Sequence, residues 1–190
     1  VLVGTVMTAL WYRHASQPLH EGALRLKGLD STVEVRRDEQ GVPTIVADNE
    51  RDATFVLGFL HAQDRLWQME FNRRLAAGRL SELLGAAALP TDTFLRTLGV
   101  RRAAQRSYET LDEVNRLLVD AYVDGVNAFL ASRSGPLPPE FLLLRAPAPE
   151  PWTAADSIAW SLMMAWDLAS HGMRSEEHTS ELQSLAYIVC

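Results

Sequence analysis

The sequence predicts an α+β protein that is mainly helical, with short strands near its N-terminus. Three observations favour this fold class. Residues 33–47 alternate apolar and polar side chains around a turn, as half-buried strands do. The segment after them carries a broad apolar stripe at helical spacing, and several shorter periodic segments follow. The composition, with 47% hydrophobic residues, is that of a globular chain that can bury a core.

The strands are predicted within residues 23–47. Val33 and Val35 alternate with charged residues, which is the period-2 pattern of a strand with one buried face. Gly41 follows a polar run and can adopt the positive φ of a turn. Pro43 lies near the start of the return strand, where its missing N–H disturbs the ladder least. We therefore expect a hairpin.

A long amphipathic helix is predicted after Asp48 and Asn49, either of which can cap its first turn. Asp52 lies in that turn, where the helix dipole favours a negative charge. Gly78 and Gly85 punctuate the region, and Gly85 is the expected C-terminal stop. The predicted apolar stripe consists of Val56, Phe59, Leu60, Leu66, Trp67 and Met69.

Polar residues on the helices allow more than one interpretation. His61 and Asp64 are spaced to share a helix face and could form a metal or acid–base pair. The favoured interpretation is a buried contact that orders the helix, either His61 with Asp64 or Asp64 with Arg65. The pairs 73–74 and 101–102 are both Arg-Arg, and we expect them to be solvated helix faces rather than phosphate clamps.

Three further helices and a short one are predicted beyond this region, separated by breaks rich in proline and glycine. Thr153 and Asp156 have the spacing of a capping box at the start of the last helix. Ser170, His171 and Gly172 form a reasonable end for it. The predicted ranges are 92–107, 111–131, a short helix from 139, and 154–169, with an extended segment at 146–151.

Both ends of the chain require separate treatment. Arg174–Ser184 has the residues that a common sequencing-adapter DNA gives on translation, so we predict that 174–190 is non-native read-through. Cys190, the only cysteine, lies in this tail, so no disulfide or thiolate is expected in the rest.

Val1–Tyr12 is uncharged but shorter than the roughly 20 residues that span a bilayer. We expect residues 1–22 to be an export signal or uncleaved anchor with its linker; the alternative is a buried N-terminal element.

The charges and motifs exclude several function classes. Without the tail, 17 basic and 21 acidic residues remain, and this mildly acidic balance argues against a nucleic-acid partner. The sequence has no Gly-x-Ser-x-Gly elbow, phosphate loop or His-Glu-x-x-His motif. The residues by themselves therefore indicate a mainly helical region without an active site of its own.

A series of short motifs, weak one by one but specific in their order, extends from Gly28 to Gly172. In these motifs the chain resembles the penicillin acylase (penicillin amidase) family of N-terminal-nucleophile hydrolases. Thr44 is a departure, because the family often has His at that place. The motifs are Arg37-Asp38-Glu39, Gly41-Val42-Pro43, His61-Ala-Gln-Asp-Arg65, Gln68-Met69-Glu70, Gly78 with Glu82 and Gly85, Tyr122-x-Asp124-Gly125-Val126-Asn127-Ala128, Leu137-Pro-Pro-Glu-Phe141, Pro151-Trp152-x-x-x-Asp156 and Met164-Ala165-Trp166-Asp167-Leu168.

The resemblance implies that residues 23–173 are most of the α chain, an incomplete domain whose strands join an αββα sandwich. In this family a precursor is cut into an α and a β chain. The nucleophile is the serine at the new N-terminus of the β chain, with its own α-amino group as base and β-chain groups as the oxyanion hole. The resemblance thus implies an αβ heterodimer, with no catalytic residue in this chain and no activity of the chain alone.

The resemblance also places the substrate-binding residues in the last helix, at Met164, Ala165, Leu168 and Ala169; the alternative is that these are ordinary core residues. No cofactor is required by the family, although calcium can bind the full-length protein. The family's α-chain calcium ligand falls near Glu176 and Glu177, which lie in the excluded tail and are not assigned, so no metal ligand is predicted.

The expected function is hydrolysis of the amide bond of a small acylated substrate, such as a β-lactam antibiotic or an acyl-homoserine lactone, with a link to antibiotic synthesis or modification. The expected location is periplasmic or secreted, or at a membrane through the N-terminal segment. The alternative is a membrane-anchored, non-catalytic helical binding protein derived from this family.

Overall fold

The computed structural model describes residues 21–171 and, before them, residues 7, 11, 12, 15 and 16. The predicted tail at 174–190 lies outside the described residues, and so does most of the predicted signal or anchor at 1–22. Among the described helices, none is both long enough and apolar enough to cross a bilayer.

The described part is mainly helical with one two-stranded sheet, which confirms the α+β class. The elements are β1 (Glu34–Arg37), β2 (Pro43–Val46), α1 (Glu50–Ala77), α2 (Ser81–Leu84), a 3₁₀ turn (Gly85–Ala88), α3 (Leu89–Leu98), α4 (Val100–Glu109), α5 (Glu113–Ser132), α6 (Pro139–Leu143) and α7 (Ala154–His171).

The predicted hairpin forms, with β1 and β2 antiparallel and Val35 opposite Ile45. Gly41 has φ 81° in the turn, as its position requires. Val33 and Ile45 pack on the first half of α1. The strands are shorter than the predicted range, because residues 23–33 form loops and turns. Both edges of this small sheet are open within the described chain.

Helix α1 begins as predicted, since the Asn49 side chain accepts a hydrogen bond from the Asp52 N–H. Its predicted end at Gly85 is wrong. The helix ends at Gly78, which takes a left-handed conformation (φ 64°) and donates its N–H to the carbonyls of Arg74 and Leu75. Gly85 instead ends the short helix α2.

The predicted helix 92–107 is in fact two helices. Gly99 takes φ 77° and separates α3 from α4, so the chain changes direction inside a segment whose periodicity looked continuous. The later helices agree with their predicted ranges to within one or two residues.

Helix α1 is the centre of the fold and contributes buried side chains to each described core cluster. Its closest neighbour is α5. A Cβ on Gly58 would overlap the Tyr122 carbonyl oxygen, and a Cβ on Gly125 would overlap that of Phe55. Glycine at both positions therefore lets the two backbones touch. The second half of α1 and helix α4 pack against α7 around Ala76, Val100, Ala104, Ala159 and Met163.

Candidate functional site

The four predicted substrate-binding residues lie together on one side of α7. Met164 is 45% exposed and Leu168 77% exposed, and the two alanines beside them are exposed as well. The opposite side of the helix, with Ala159 and Met163, is buried against α1 and α4. The four residues are therefore not part of this chain's core. We call Met164, Ala165, Leu168 and Ala169 the α7 surface.

Helix α7 has an aromatic neighbour on α3. The Phe94 ring lies against Trp166 of α7, with ring centroids 6.0 Å apart. Phe94 and Leu98 are each about half exposed, at 51% and 50%. The α7 surface and the exposed side chains of α3 are both uncharged and apolar, which suits an apolar ligand or an apolar protein surface.

Helix α7 is positioned by the loop that precedes it. Asn127 of α5 holds both backbone groups of Trp152: its Nδ2 donates to the Trp152 carbonyl at 3.0 Å, and its Oδ1 accepts from the Trp152 N–H at 2.8 Å. The indole Nε1 of Trp152 donates to the Ser157 hydroxyl at 2.9 Å, inside the first turns of α7. The loop and the start of α7 are thus tied to α5.

Asp156 stabilises the first turn of α7, although differently from the predicted capping box. Its carboxylate accepts from the Thr153 N–H at 2.8 Å, as predicted. The Thr153 hydroxyl donates to the same carboxylate at 2.6 Å instead of accepting a backbone N–H. The buried Asp156 also forms an ion pair with Arg101 of α4. Arg101 is solvent-exposed, as predicted, but it anchors α7 at the same time.

The prediction that Arg73 and Arg74 face solvent is wrong. Both are buried, at 5% and 2% exposure, and both pair with Glu70, which is 1% exposed. Arg73 also donates to the carbonyls of Glu150 and Pro151, at 3.0 and 3.4 Å. We call Glu70, Arg73 and Arg74 the buried charge cluster.

The buried charge cluster is structural in character. Burial lowers the pKa of both guanidinium groups, while the charge of Asp156 opposes this at Arg73 and that of Glu82 opposes it at Arg74. Arginine starts from so high a pKa that both side chains stay charged. The Arg73 guanidinium also lies over the Trp152 ring, 5.4 Å from its centroid. The cluster therefore joins α1 to the loop before α7.

The two favoured contacts for Asp64, with His61 and with Arg65, are both wrong. Arg37 of β1 binds Asp64 with both terminal nitrogens, at 2.8 and 2.9 Å. His61 places its Nδ1 3.0 Å from the hydroxyl of Tyr122. Arg65 departs from helical geometry (φ −136°) and kinks α1.

The surroundings of His61 do not support the interpretation that it forms a metal site or an acid–base pair with Asp64. Partial burial lowers the pKa of its imidazole, and the charge of Asp64 opposes this shift. Burial raises the pKa of Tyr122 to about 12, so this phenol stays protonated at neutral pH. Among the described residues, no group of three or more His, Cys, Asp or Glu side chains is arranged to hold a metal ion.

Sequence reasoning missed Asn127 and the buried charge cluster. A signal existed for the cluster, because Glu70 and Arg74 continue the spacing of the apolar stripe from Trp67. A charge on a buried stripe is informative when another charge follows three or four residues later. Asn127 carried no such local signal, since its partner, Trp152, is 25 residues away in sequence.

Comparison with known proteins relates the chain to amide hydrolases. The family model described as penicillin amidase matches residues 32–186. This range extends past Met173, so the adapter origin of residues 174–190 stays a prediction. The chain is 49% identical to the penicillin acylase 2 proenzyme of a Pseudomonas species over 145 residues, which are 76% of this chain and 18% of that protein.

Other relatives agree. The acyl-homoserine lactone acylase QuiP of Pseudomonas aeruginosa is 38% identical over 81% of this chain and 18% of its own length. The chain thus spans about a fifth of the length of these curated relatives. The solved structure of the thermostable penicillin G acylase of Alcaligenes faecalis superposes with a TM-score of 0.65 at 32% identity, covering 82% of this chain and 80% of that chain.

Proposed function

Because this chain belongs to the penicillin amidase family, we propose that it is the α-chain part of an enzyme that hydrolyses the amide bond of an acylated substrate. One observation carries the proposal: the family match over residues 32–186 coincides with a mainly helical fold that superposes on a solved penicillin G acylase. The motifs that support the resemblance also make the contacts that build the fold, such as Asn127 with Trp152.

In this proposal the catalytic groups lie on a β segment encoded after this region. The β-chain serine attacks the substrate carbonyl, its own α-amino group accepts the proton, and β-chain donors stabilise the oxyanion. The name proenzyme of one relative supports maturation by cleavage into two chains. The mature enzyme is then an αβ heterodimer, with this chain completing the binding site.

The α7 surface is the proposed wall of the acyl pocket. Its alanines leave room for bulk, and Met164 and Leu168 offer apolar contact. An acyl group that carries a carboxylate would meet no charge partner among these four side chains and would lose its hydration. We therefore propose apolar aliphatic or arylacetyl groups, carried by an acylated β-lactam or an acyl-homoserine lactone. Relatives named for both substrate classes support this range.

The proposed location is the periplasm or the exterior, and its support is the uncharged run Val1–Tyr12.

Calcium binding is proposed only for the complete protein and not for this chain by itself. The described residues contain no group of three or more His, Cys, Asp or Glu side chains placed to hold a metal ion, and Glu176 and Glu177 lie outside them. No step of the proposed reaction passes through a metal ion.

The test begins with the source DNA, read through the junction after Met173. We expect an open reading frame that continues into a segment starting with serine after maturation. The complete product should cleave a chromogenic phenylacetyl or long-chain acyl anilide. The 190-residue chain is the matched control and should give no turnover above the rate in water. A gene without such a segment, or turnover by the control chain, would refute the proposal; the first result would favour the non-catalytic binding protein.

A further inference from the structure

One side chain, Asn127, satisfies both backbone hydrogen-bonding groups of Trp152 in the way that a neighbouring strand would. Trp152 is only 7% exposed, so water could not easily replace these bonds. Leaving a buried backbone group without a partner costs about 1–3 kcal/mol. The geometry therefore fixes one point of the loop 146–153 firmly to the second half of α5.

The same point is also fixed to α1. Arg73 donates to the carbonyls of Glu150 and Pro151, next to Trp152, and its guanidinium lies over the indole ring. Arg73 is itself held by Glu70. Helices α1 and α5 touch through Gly58 and Gly125, so they form the most closely packed pair of the fold. Trp152 is thus anchored to that pair.

The anchor lies two residues before α7 begins, and the α7 surface lies near its other end. The first turn of α7 is also held by the ion pair between Asp156 and Arg101. Beyond that turn the helix packs through apolar contacts, which are not directional and do not by themselves set its position along its axis. From Ala154 to Ala169 the helix rises about 22 Å, so a tilt of about 3° at its start moves Ala169 by about 1 Å.

We propose that Asn127 is a positioning residue for the acyl pocket: by holding Trp152, it sets where the α7 surface stands and hence how deep an acyl chain can enter. This inference rests on the proposed function. The hydrogen bonds described for the Asn127 side chain run to Trp152 and not to the α7 surface, so its effect is expected to pass through Trp152 and the helix. The effect should therefore appear in the discrimination between acyl chains more than in the chemistry of amide cleavage.

The test uses the complete gene product with Asn127→Ala and the isosteric Asn127→Asp, which turns the amide donor into an acceptor facing the Trp152 carbonyl. Asn115→Ala is the matched control, because Asn115 lies on the same helix and its hydrogen bonds run to Asp112 alone among the described contacts. A long-chain acyl anilide and a phenylacetyl anilide compete in one reaction. Their ratio of kcat/KM is then independent of the amount of active enzyme.

Misplacing a binding group by about 1 Å can cost up to about 100-fold, so a change in the ratio of about three- to tenfold is expected for both Asn127 variants. The control should stay within about twofold of the wild type. An unchanged ratio with a lowered melting temperature would mean that Asn127 only stabilises the fold, and would overturn the inference. Failure of both variants to mature would overturn it too, by assigning Asn127 to folding.

The proposed function fails separately from this inference. If the complete wild-type product cleaves neither substrate, the amidase proposal falls and the inference falls with it. If the wild type is active and Ala169→Phe changes the ratio while the Asn127 variants do not, the pocket assignment stands. In that case only the positioning role of Asn127 is refuted.

Discussion

Replacing Glu70 with glutamine should destabilise the protein strongly, because it removes the buried carboxylate that pairs with both Arg73 and Arg74. All three side chains are at most 5% exposed. Breaking a buried ion pair by removing one partner costs about 3–5 kcal/mol, since the remaining charge stays desolvated. The urea midpoint should fall by this free energy divided by the m-value measured for the product, since the free energy of unfolding falls linearly with urea concentration.

Glu82→Gln is the matched control. Glu82 also pairs with Arg74, through Nε at 3.4 Å, but its side chain is 40% exposed. Exposed pairs contribute about 0–1 kcal/mol, so this midpoint should fall by at most about a third as much as that of Glu70→Gln. The assay is urea unfolding of the complete, matured product, followed by tryptophan fluorescence. Equal midpoints for the two variants would refute the reasoning, because burial would then make no difference to the energy of the pair.

Two further outcomes are expected. The 190-residue chain alone should be poorly soluble or molten, and co-expression with its β segment should rescue it, because its exposed apolar side chains and open sheet edges lack their partners; a monodisperse monomer with a sharp thermal transition would contradict this. In the complete product, Ala169→Phe should lower activity on long acyl chains far more than on acetyl or phenylacetyl substrates, because the ring fills space at the α7 surface. If the dependence of activity on acyl-chain length is unchanged, Ala169 does not line the pocket. Preference for a glutaryl group would contradict the proposed apolar wall.

Local chemistry made much of the fold predictable. The hairpin turn at Gly41, the cap at Asn49 and the start of α7 at Asp156 each depend on residues within a few positions of one another. The end of α1 was misplaced, because the sequence contains glycines at both 78 and 85 and either can end a helix. What distinguishes them is the approach of α3: the Asp92 carbonyl oxygen lies 2.7 Å from where a Cβ on Gly78 would stand, whereas a Cβ on Gly85 would have open space around it.

The candidate site, like the fold, was predictable from the sequence only in part. The resemblance placed the substrate-binding residues on the last helix, and helical periodicity alone requires Met164, Ala165, Leu168 and Ala169 to share one side of it. The sequence did not show which side faces outward, because that depends on α1 and α4 packing against the other side.

The order of the helices, the hairpin and the family motifs are determined by the sequence itself, because they follow from periodicity and from contacts between near neighbours. Only the tertiary structure decided which charges are buried and what positions α7. Arg73 and its carbonyl partner at Glu150 are 77 residues apart, and Asn127 and Trp152 are 25 residues apart. The exposure of a side chain depends on which distant segment packs over it. The local sequence pattern does not identify that segment.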